Sequence, residues 1–421
     1  MSLQIRERAL AGSRPPAGLF ACVRLAALCS MALFGGLRMA AADSAQDAAK
    51  DAAVATALSS LVSETGVPGI TFAVYGKDLQ RRYSAGLADR ETRAPMLDDT
   101  VMMGASTGKM IVAVLAYQEL QAGQLHLTDK VSHYLASNPA YDQLPGASDF
   151  TIAMLLTHST GLVDGAVDLA AMADSRGAWT SERRFKAARN TQLLSRPGTA
   201  YSYSDLNYQI LAAVLESIEG RTFEELATSK VLGPVGMTHT TPALAQHIPG
   251  LASGYAGPTT QPQYEGIHLP NKTAEAQTLF MNPAFEGGGG GFATCSPDMA
   301  KFIYTVFNGS LIDRSQLDHM TGRVPVLSLA PVPHRKRVAA GMFSYQTALG
   351  EAFGHSGIWF GFKTMVLYYP SLQLGAAMQV NSQIDASGAD LTTYRIEGRR
   401  DDMVQALTEL VKKAAHVRRA T

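Results

Sequence analysis

Strand-like segments lie near both ends of this chain, and a long helical stretch separates them. Ile70-Thr71-Phe72-Ala73-Val74-Tyr75 alternates and is rich in β-branched residues, and Gly66-Val67-Pro68-Gly69 sets it off from an Ala-rich amphipathic helix spanning Asp43 to Glu64. Near the other end, Val338 to Thr347, Trp359 to Tyr369 and Gln373 to Val380 are short apolar runs divided by Gly, Pro or Ser. A final amphipathic helix places Met403, Leu407, Leu410, Ala414 and Val417 at helical spacing. Between them, residues 125 to 320 carry helix signals broken by Pro and Gly, among them Gln209 to Gly220 and Thr222 to Leu232. This order predicts one sheet assembled from both chain ends, with a large helical insertion. No internal repeat, linker or low-complexity tract stands out beyond Gly287 to Gly291, a tightly turned or flexible loop, so residues 43–421 are expected to form a single two-lobed unit.

Residues 1–42 are of another kind. Arg6, Arg8, Arg14 and Arg24 precede an apolar run from Leu25 to Leu37, and Ala40-Ala41-Ala42 follows, which is the layout of a secretory leader with a small-residue cleavage site. The run is thirteen residues long, short of the about 20 a spanning helix needs. An uncleaved anchor or a buried helix is the alternative, given the long basic region and Arg38 near the cleavage site. A secreted or periplasmic protein is the expectation. Cys22 follows Leu19-Phe20-Ala21, a poor lipidation box, so contact with a membrane is expected only through the leader or that cysteine, if at all.

Outside the leader the chain has a formal charge of −4, which argues against a nucleic-acid partner. Of the three cysteines only Cys295 lies beyond residue 42, so no internal disulfide and no cysteine pair for a metal is expected. None of the ten His falls in an H-E-x-x-H or H-x-H pattern, and no metal or other cofactor is expected.

Ser106-Thr107-Gly108-Lys109 opens an apolar helical pattern that runs through Met110, Val112, Leu115 and Leu120 to Ala122 and stops at Gly123. A spacing of three stacks the Ser and Lys side chains on one face, near the unpaired N–H groups and positive dipole end of a helix. A serine nucleophile needs its proton taken, and its oxyanion needs donors. Taken alone, S-x-x-K is equally a Ser N-cap followed by a surface lysine.

Two further motifs follow in order. Pro197-Gly198-Thr199-Ala200-Tyr201-Ser202-Tyr203-Ser204-Asp205-Leu206-Asn207-Tyr208 precedes an apolar helix, and Phe353-Gly354-His355-Ser356-Gly357 enters a strand starting near Trp359. The sequence Ser-x-x-Lys, Tyr-x-Asn-like, then His-Ser-Gly resembles the superfamily of class C β-lactamases, penicillin-binding D,D-peptidases and esterases. Leu155 to Leu162, Leu232 to Met237 and Gly291 to Phe302 add landmarks, so the resemblance runs from Leu58 to about Leu410. It implies an α/β (α+β) fold of the β-lactamase/transpeptidase kind: an antiparallel sheet from both chain ends, flanked by helices, with a large mainly helical lobe.

The resemblance further implies that Ser106 attacks a carbonyl, that Lys109 and Tyr203 handle its proton, and that His355-Ser356-Gly357 lines the site. The N–H groups of Ser106 and Ile358 would form the oxyanion hole, and His158 would be structural. Reference pKa values near 10 leave either Tyr203 or Lys109 about three units from neutrality as a base. Lys109 beside Tyr203 is expected to lower the tyrosine's pKa, although a shared proton fits as well.

Two positions depart from the lactamase pattern. Asp205 stands where an Asn is usual; its carboxylate accepts but does not donate, and it either pairs with Lys109 or serves as a helix N-cap. His355 replaces a Lys and offers less fixed charge to a substrate carboxylate. Hydrolysis of an ester or a D-amino-acid peptide is therefore expected ahead of β-lactam turnover. The alternatives are a class C type β-lactamase and a non-catalytic binder of cell-wall peptide.

Overall fold

The computed structural model describes residues 47–164, 172, 174, 176, 178–256, 270–322, 335–383, 395–396, 399–400 and 402–415. By internal contacts the chain divides into Met1–Ala52 and Ala53–Thr421. Of the first unit only the helical residues 47–52 are described, so the expected leader and its boundary at residue 42 lie outside the described residues. No helix among the described residues is long and apolar enough to cross a membrane.

In the second unit, helix α1 (residues 53–65) leads into strand β1 (Gly69–Tyr75), β2 (Gln80–Asp89) and the short β3 (Ala94–Pro95). The remaining strands of the main sheet come from the other end: β4 (Arg335–Ala339), β5 (Met342–Thr347), β6 (Gly350–Trp359), β7 (Phe362–Tyr369) and β8 (Leu374–Val380). The eight strands lie in the order β4-β5-β6-β7-β8-β1-β2-β3. Every neighbouring pair is antiparallel, and β1 meets β8 in the register Ile70 with Val380, Phe72 with Met378 and Val74 with Ala376. The antiparallel sheet expected from both chain ends is thus present.

Both faces of this sheet are covered. Phe72, Val74, Met365, Leu367 and Met378 share one apolar cluster with Val54 and Leu58 of α1 and with Leu407, Leu410 and Val411 of the last helix, α5 (Asp402–Ala415). The alternate residues Ala73, Val366 and Ala377 pack with Met299, Ala300 and Ile303 of α4 (Ser296–Phe307) on the opposite face. Burying each larger side chain contributes roughly 1.5–3 kcal/mol. Strand β1 consequently reads as an almost continuous apolar run.

Two apolar runs differ from their sequence reading. Val338 to Thr347 is the end of β4, a turn at Ala340-Gly341 and β5, and Trp359 closes β6 while β7 begins at Phe362 after a second turn. His355, Ser356 and Gly357 therefore lie inside a strand and do not enter one.

The helical lobe centres on α2 (Lys109–Gln121) and α3 (Asp205–Glu219). Residues 109 to 117 of α2 are all buried, as suits a helix apolar on every side. A small sheet joins Met102–Met103 to Phe292–Thr294 and Thr241–Pro242, and Thr364 Oγ1 of β7 donates to Met103 O at 3.1 Å. These ties fix the chain just before Ser106 against both the main sheet and the segment following the glycine run.

Candidate active site

Ser106 sits one turn ahead of α2, in a tight helical turn over Ala105–Gly108. The turn is entered at a strained residue, since Ala105 has φ of +49°, a left-handed conformation that costs a non-glycine residue about 1–3 kcal/mol. Thr107 holds it, donating from Oγ1 to Gly104 O at 2.8 Å, while Gly104 N donates to Phe292 O at 2.9 Å. Lys109 begins the α-helix proper and is wholly buried at 0% exposure.

The lysine has three acceptors around its amine. Nζ donates to Ser106 Oγ at 3.0 Å, to Asp205 Oδ1 at 2.5 Å and to the carbonyl of Gly289. Asp205 is thus the partner of Lys109 and not an N-cap: Ser204 holds the cap position of α3, and Asp205 N itself donates to Asp164 Oδ1 at 2.9 Å. A carboxylate at that end also opposes the positive pole of α3.

Tyr203 lies over the same amine, with Lys109 Nζ 5.1 Å from its ring centroid. The ring stacks on His158 at 4.4 Å. Burial, with the nearby charges of Asp205 and Asp164, pushes the Tyr203 phenol well above its usual value, against the pull of the neighbouring Ser106. This reverses the lowering expected from Lys109, because burial disfavours the phenolate first and the negative charges of Asp205 and Asp164 add to it.

His158 is a structural support. It takes a left-handed φ of +53°, is buried, and accepts at Nδ1 from Ser204 N at 3.2 Å. Asn207 accepts from Thr160 Oγ1 at 2.6 Å and is buried beside His158, so it is the floor of the tyrosine motif.

The third motif approaches from β6. A Cβ on Gly357 would lie 2.1 Å from Gly104 O, so only glycine lets the strand press against the turn that carries Ser106. Its neighbour Ile358 keeps its side chain 37% exposed, and Ser356 is half-buried. His355 is buried, its ring 6.2 Å from that of Tyr203 and 4.9 Å from Phe343, with Nδ1 2.5 Å from Ser356 O. It packs among rings and does not stand out as a cationic side chain toward solvent.

Ser106, Lys109, Tyr203 and Asp205 therefore converge, with the Ser356–Ile358 strand alongside. A model of the Beta-lactamase family matches residues 51–399. The chain belongs to the Beta-lactamase family. The putative penicillin-binding protein PbpX of Bacillus subtilis (strain 168) is 23% identical over 264 residues, which are 62% of this chain and 61% of that relative. A putative D-alanyl-D-alanine carboxypeptidase of Escherichia coli (strain K12) is 27% identical over 49% of this chain and 50% of its own length. The chain thus spans half to three-fifths of these curated relatives. The crystal structure of the D-amino acid amidase from Ochrobactrum anthropi SV3 with D-phenylalanine shares the fold, at a TM-score of 0.71 and 20% identity, covering 87% of this chain and 98% of the amidase.

In this Beta-lactamase family chain, the residues that sequence reading misses are those holding the amine from behind. Gly287 to Gly291 is a tight, fully buried turn wedged against α3, where a Cβ on Gly288 would lie 2.5 Å from Tyr208 O. Its usefulness is that backbone reaches Lys109. Behind it, buried Arg184 donates from Nε to Phe285 O at 3.0 Å and from Nη2 to Ala284 O at 2.8 Å. The glycine run was the one available signal.

Among the described residues, one group of metal-ligand types stands apart from this site. His239, Cys295 and Asp298 bring one donor atom each within 4.8 Å of one another. Asp298 Oδ2 already accepts from His239 N and Thr240 Oγ1, each at 2.8 Å. Burial, with Asp298 nearby, pushes the Cys295 thiol up, away from the thiolate a metal takes.

Proposed function

We propose that the protein is a serine hydrolase that forms an acyl-enzyme on Ser106 and acts on an ester or a D-amino-acid amide or peptide. The observation that carries this is the buried amine of Lys109 held 3.0 Å from Ser106 Oγ while Asp205 and Gly289 O occupy its other sides. An ammonium with three acceptors is fully satisfied, and Asp205 gives it somewhere to send a proton.

The proton route follows. As Ser106 Oγ bonds to the substrate carbonyl carbon, its proton passes to Nζ while Nζ releases one to Asp205. The tetrahedral oxyanion collects between the backbone N–H groups of Ser106 and Ile358. When the bond to the leaving group breaks, Tyr203 donates its proton to that group, and Lys109 and Asp205 return one to the phenol. A Tyr203 phenol pushed well above its usual value by burial suits this donor role better than that of a base.

Asp205 favours esters and D-amino-acid amides over β-lactams, because a carboxylate cannot donate to a lactam side-chain carbonyl and repels its carboxylate. The names of the relatives, a D-alanyl-D-alanine carboxypeptidase and a D-amino acid amidase, support the same substrate class. Intact mass after a fluorophosphonate is expected to show one adduct, absent in Ser106→Ala. A panel of a p-nitrophenyl ester, D-alanyl amides and a cephalosporin should give turnover of the first two only; rapid cephalosporin turnover would overturn that preference. The Arg-rich start and the Leu25–Leu37 run support export to the periplasm or beyond the cell, checked by N-terminal sequencing of the fractionated mature protein.

A further inference from the structure

Glu286 belongs to none of the three motifs. It follows the short turn Pro283–Phe285 and precedes the glycine run, is 8% exposed, and its Oε2 has no hydrogen-bond partner. Its carboxyl fills the space that a side chain at 289 would need: a Cβ on Gly289 would lie 2.6 Å from Oε2 and 3.4 Å from Asp205 Cβ. The carbonyl of that same Gly289 receives Lys109 Nζ. Glu286 thus backs the peptide that holds the amine.

The charges around it are already matched. Lys109 pairs with Asp205 at 2.5 Å, and buried Arg184 pairs with Glu224 at 3.6 Å, with Glu216 acting on Arg184 as well. Asp205 from α3, Asp164 from the preceding loop, Lys109 from α2 and Arg184 are the charges facing Glu286. An ionised Glu286 would be a further carboxylate in a dry pocket whose two cations each have a partner, an arrangement that burial penalises heavily. Burial and then repulsion from Asp205 push its carboxyl well above the usual range, against the pull of Lys109 and Arg184.

We propose that Glu286 is a carboxylic acid kept neutral behind Gly289, a positioning residue that leaves Asp205 as the counter-charge of Lys109 and so keeps the ammonium able to release a proton. This rests on the acyl-enzyme reading of Ser106 and deepens it. Were Glu286 to ionise, a second negative charge beside Lys109 would hold its proton more firmly and slow the attack by Ser106.

Two measurements on the full chain test this. An acid whose pKa is raised on folding loses stability as pH climbs above its unfolded value, and glutamine does not. The folding equilibrium constant of Glu286→Gln relative to wild type, from urea unfolding, should therefore rise by up to about tenfold per pH unit from pH ~5 upward. A ratio flat from pH ~5 to ~8 overturns the neutral acid. Glu286→Met gives the same comparison if the glutamine variant does not fold.

The second measurement is the rate at which a fluorophosphonate labels Ser106 between pH ~6 and ~9.5. Wild type should decline on the alkaline side relative to Glu286→Gln, as ionising Glu286 holds the Lys109 proton. No alkaline decline in wild type, or the same profile in both proteins, overturns the tie to Lys109. A wild type that is never labelled, with the stability ratio still climbing, counts against the acyl-enzyme reading and leaves the neutral acid standing.

Discussion

Two lysines tie the same pair of helices at opposite ends. At the N-terminal ends of α2 and α3, Lys109 pairs with Asp205; toward their C-terminal ends, Lys230 reaches Glu119 of α2 at 2.8 Å and also Glu219 of α3. The lower tie has carboxylates on both sides and nothing reactive beside it. Burial alone would lower the Lys230 pKa, but Glu119 and Glu219 outweigh it and hold the ammonium charged. At the upper tie a carboxylate, a peptide carbonyl and a hydroxyl share the amine, so a proton has somewhere to come from and somewhere to go. The buried Lys109 has a hydroxyl among its acceptors and so a route for a proton, whereas Lys230, 32% exposed and held by carboxylates, is a clamp.

Breaking the upper tie should have the largest effect. Lys109→Met is expected to slow labelling of Ser106 about a thousandfold or more while circular dichroism shows a folded chain. Tyr203→Phe, which keeps the ring on His158 and removes the proton, should slow acyl transfer about a hundredfold in single-turnover assays, most with poor leaving groups. Asp205→Asn keeps the shape and removes the proton relay, and a loss of about tenfold with esters is expected; a gain in cephalosporin acylation from the same variant would show that the carboxylate is what excludes the lactam.

Breaking the lower tie should separate stability from chemistry. Lys230→Met leaves the buried Glu119 without its cation and is expected to destabilise by about 1–3 kcal/mol in urea unfolding, with Ser106 labelling close to that of wild type. A smaller contrast sharpens the pH behaviour of such clusters. Burial would raise the Asp89 carboxyl, yet hydrogen bonds from Ser253, Thr92 and Lys272 together hold it well below the usual range, the opposite of Glu286. Its stabilisation is therefore present above the unfolded value near 4 and lost as pH falls through the folded one. Asp89→Asn should cost about 1 kcal/mol at pH ~7, with the difference from wild type closing in acid.

How much of this was legible follows from what each residue type can say alone. Ser106 and Lys109 are legible because a hydroxyl and an amine three apart on a helix must meet, and the later motifs supply company. The sheet from both ends is legible because strand-like runs occur only there, yet the turns at Ala340-Gly341 and Phe360-Gly361 are hidden inside apolar runs whose hydrophobicity does not drop. Asp205 could be read as a cap or as the partner of Lys109, since both uses begin a helix; only the position of Ser204 decides. The glycine run is conspicuous, but backbone carbonyls have no sequence signature, so its hold on Lys109 is invisible. Glu286 and Arg184 are ordinary surface residue types whose burial comes from tertiary packing.

The pairing of Ile70 with Val380 also has a history in time. A ribosome adds about 5–20 residues per second, so strand β1 exists for many seconds before its neighbour β8 has been made. During that wait the turn that carries Ser106 has neither β6 to press on it nor β7 to anchor Met103, although Ser106 and Lys109 are already translated. Such distant pairing also makes the closing step slow relative to helix formation. A nascent or truncated chain ending before residue 350 would therefore carry Ser106 and Lys109 without the strands that hold their turn, so the proposed nucleophile is positioned only by the last strands of the sheet.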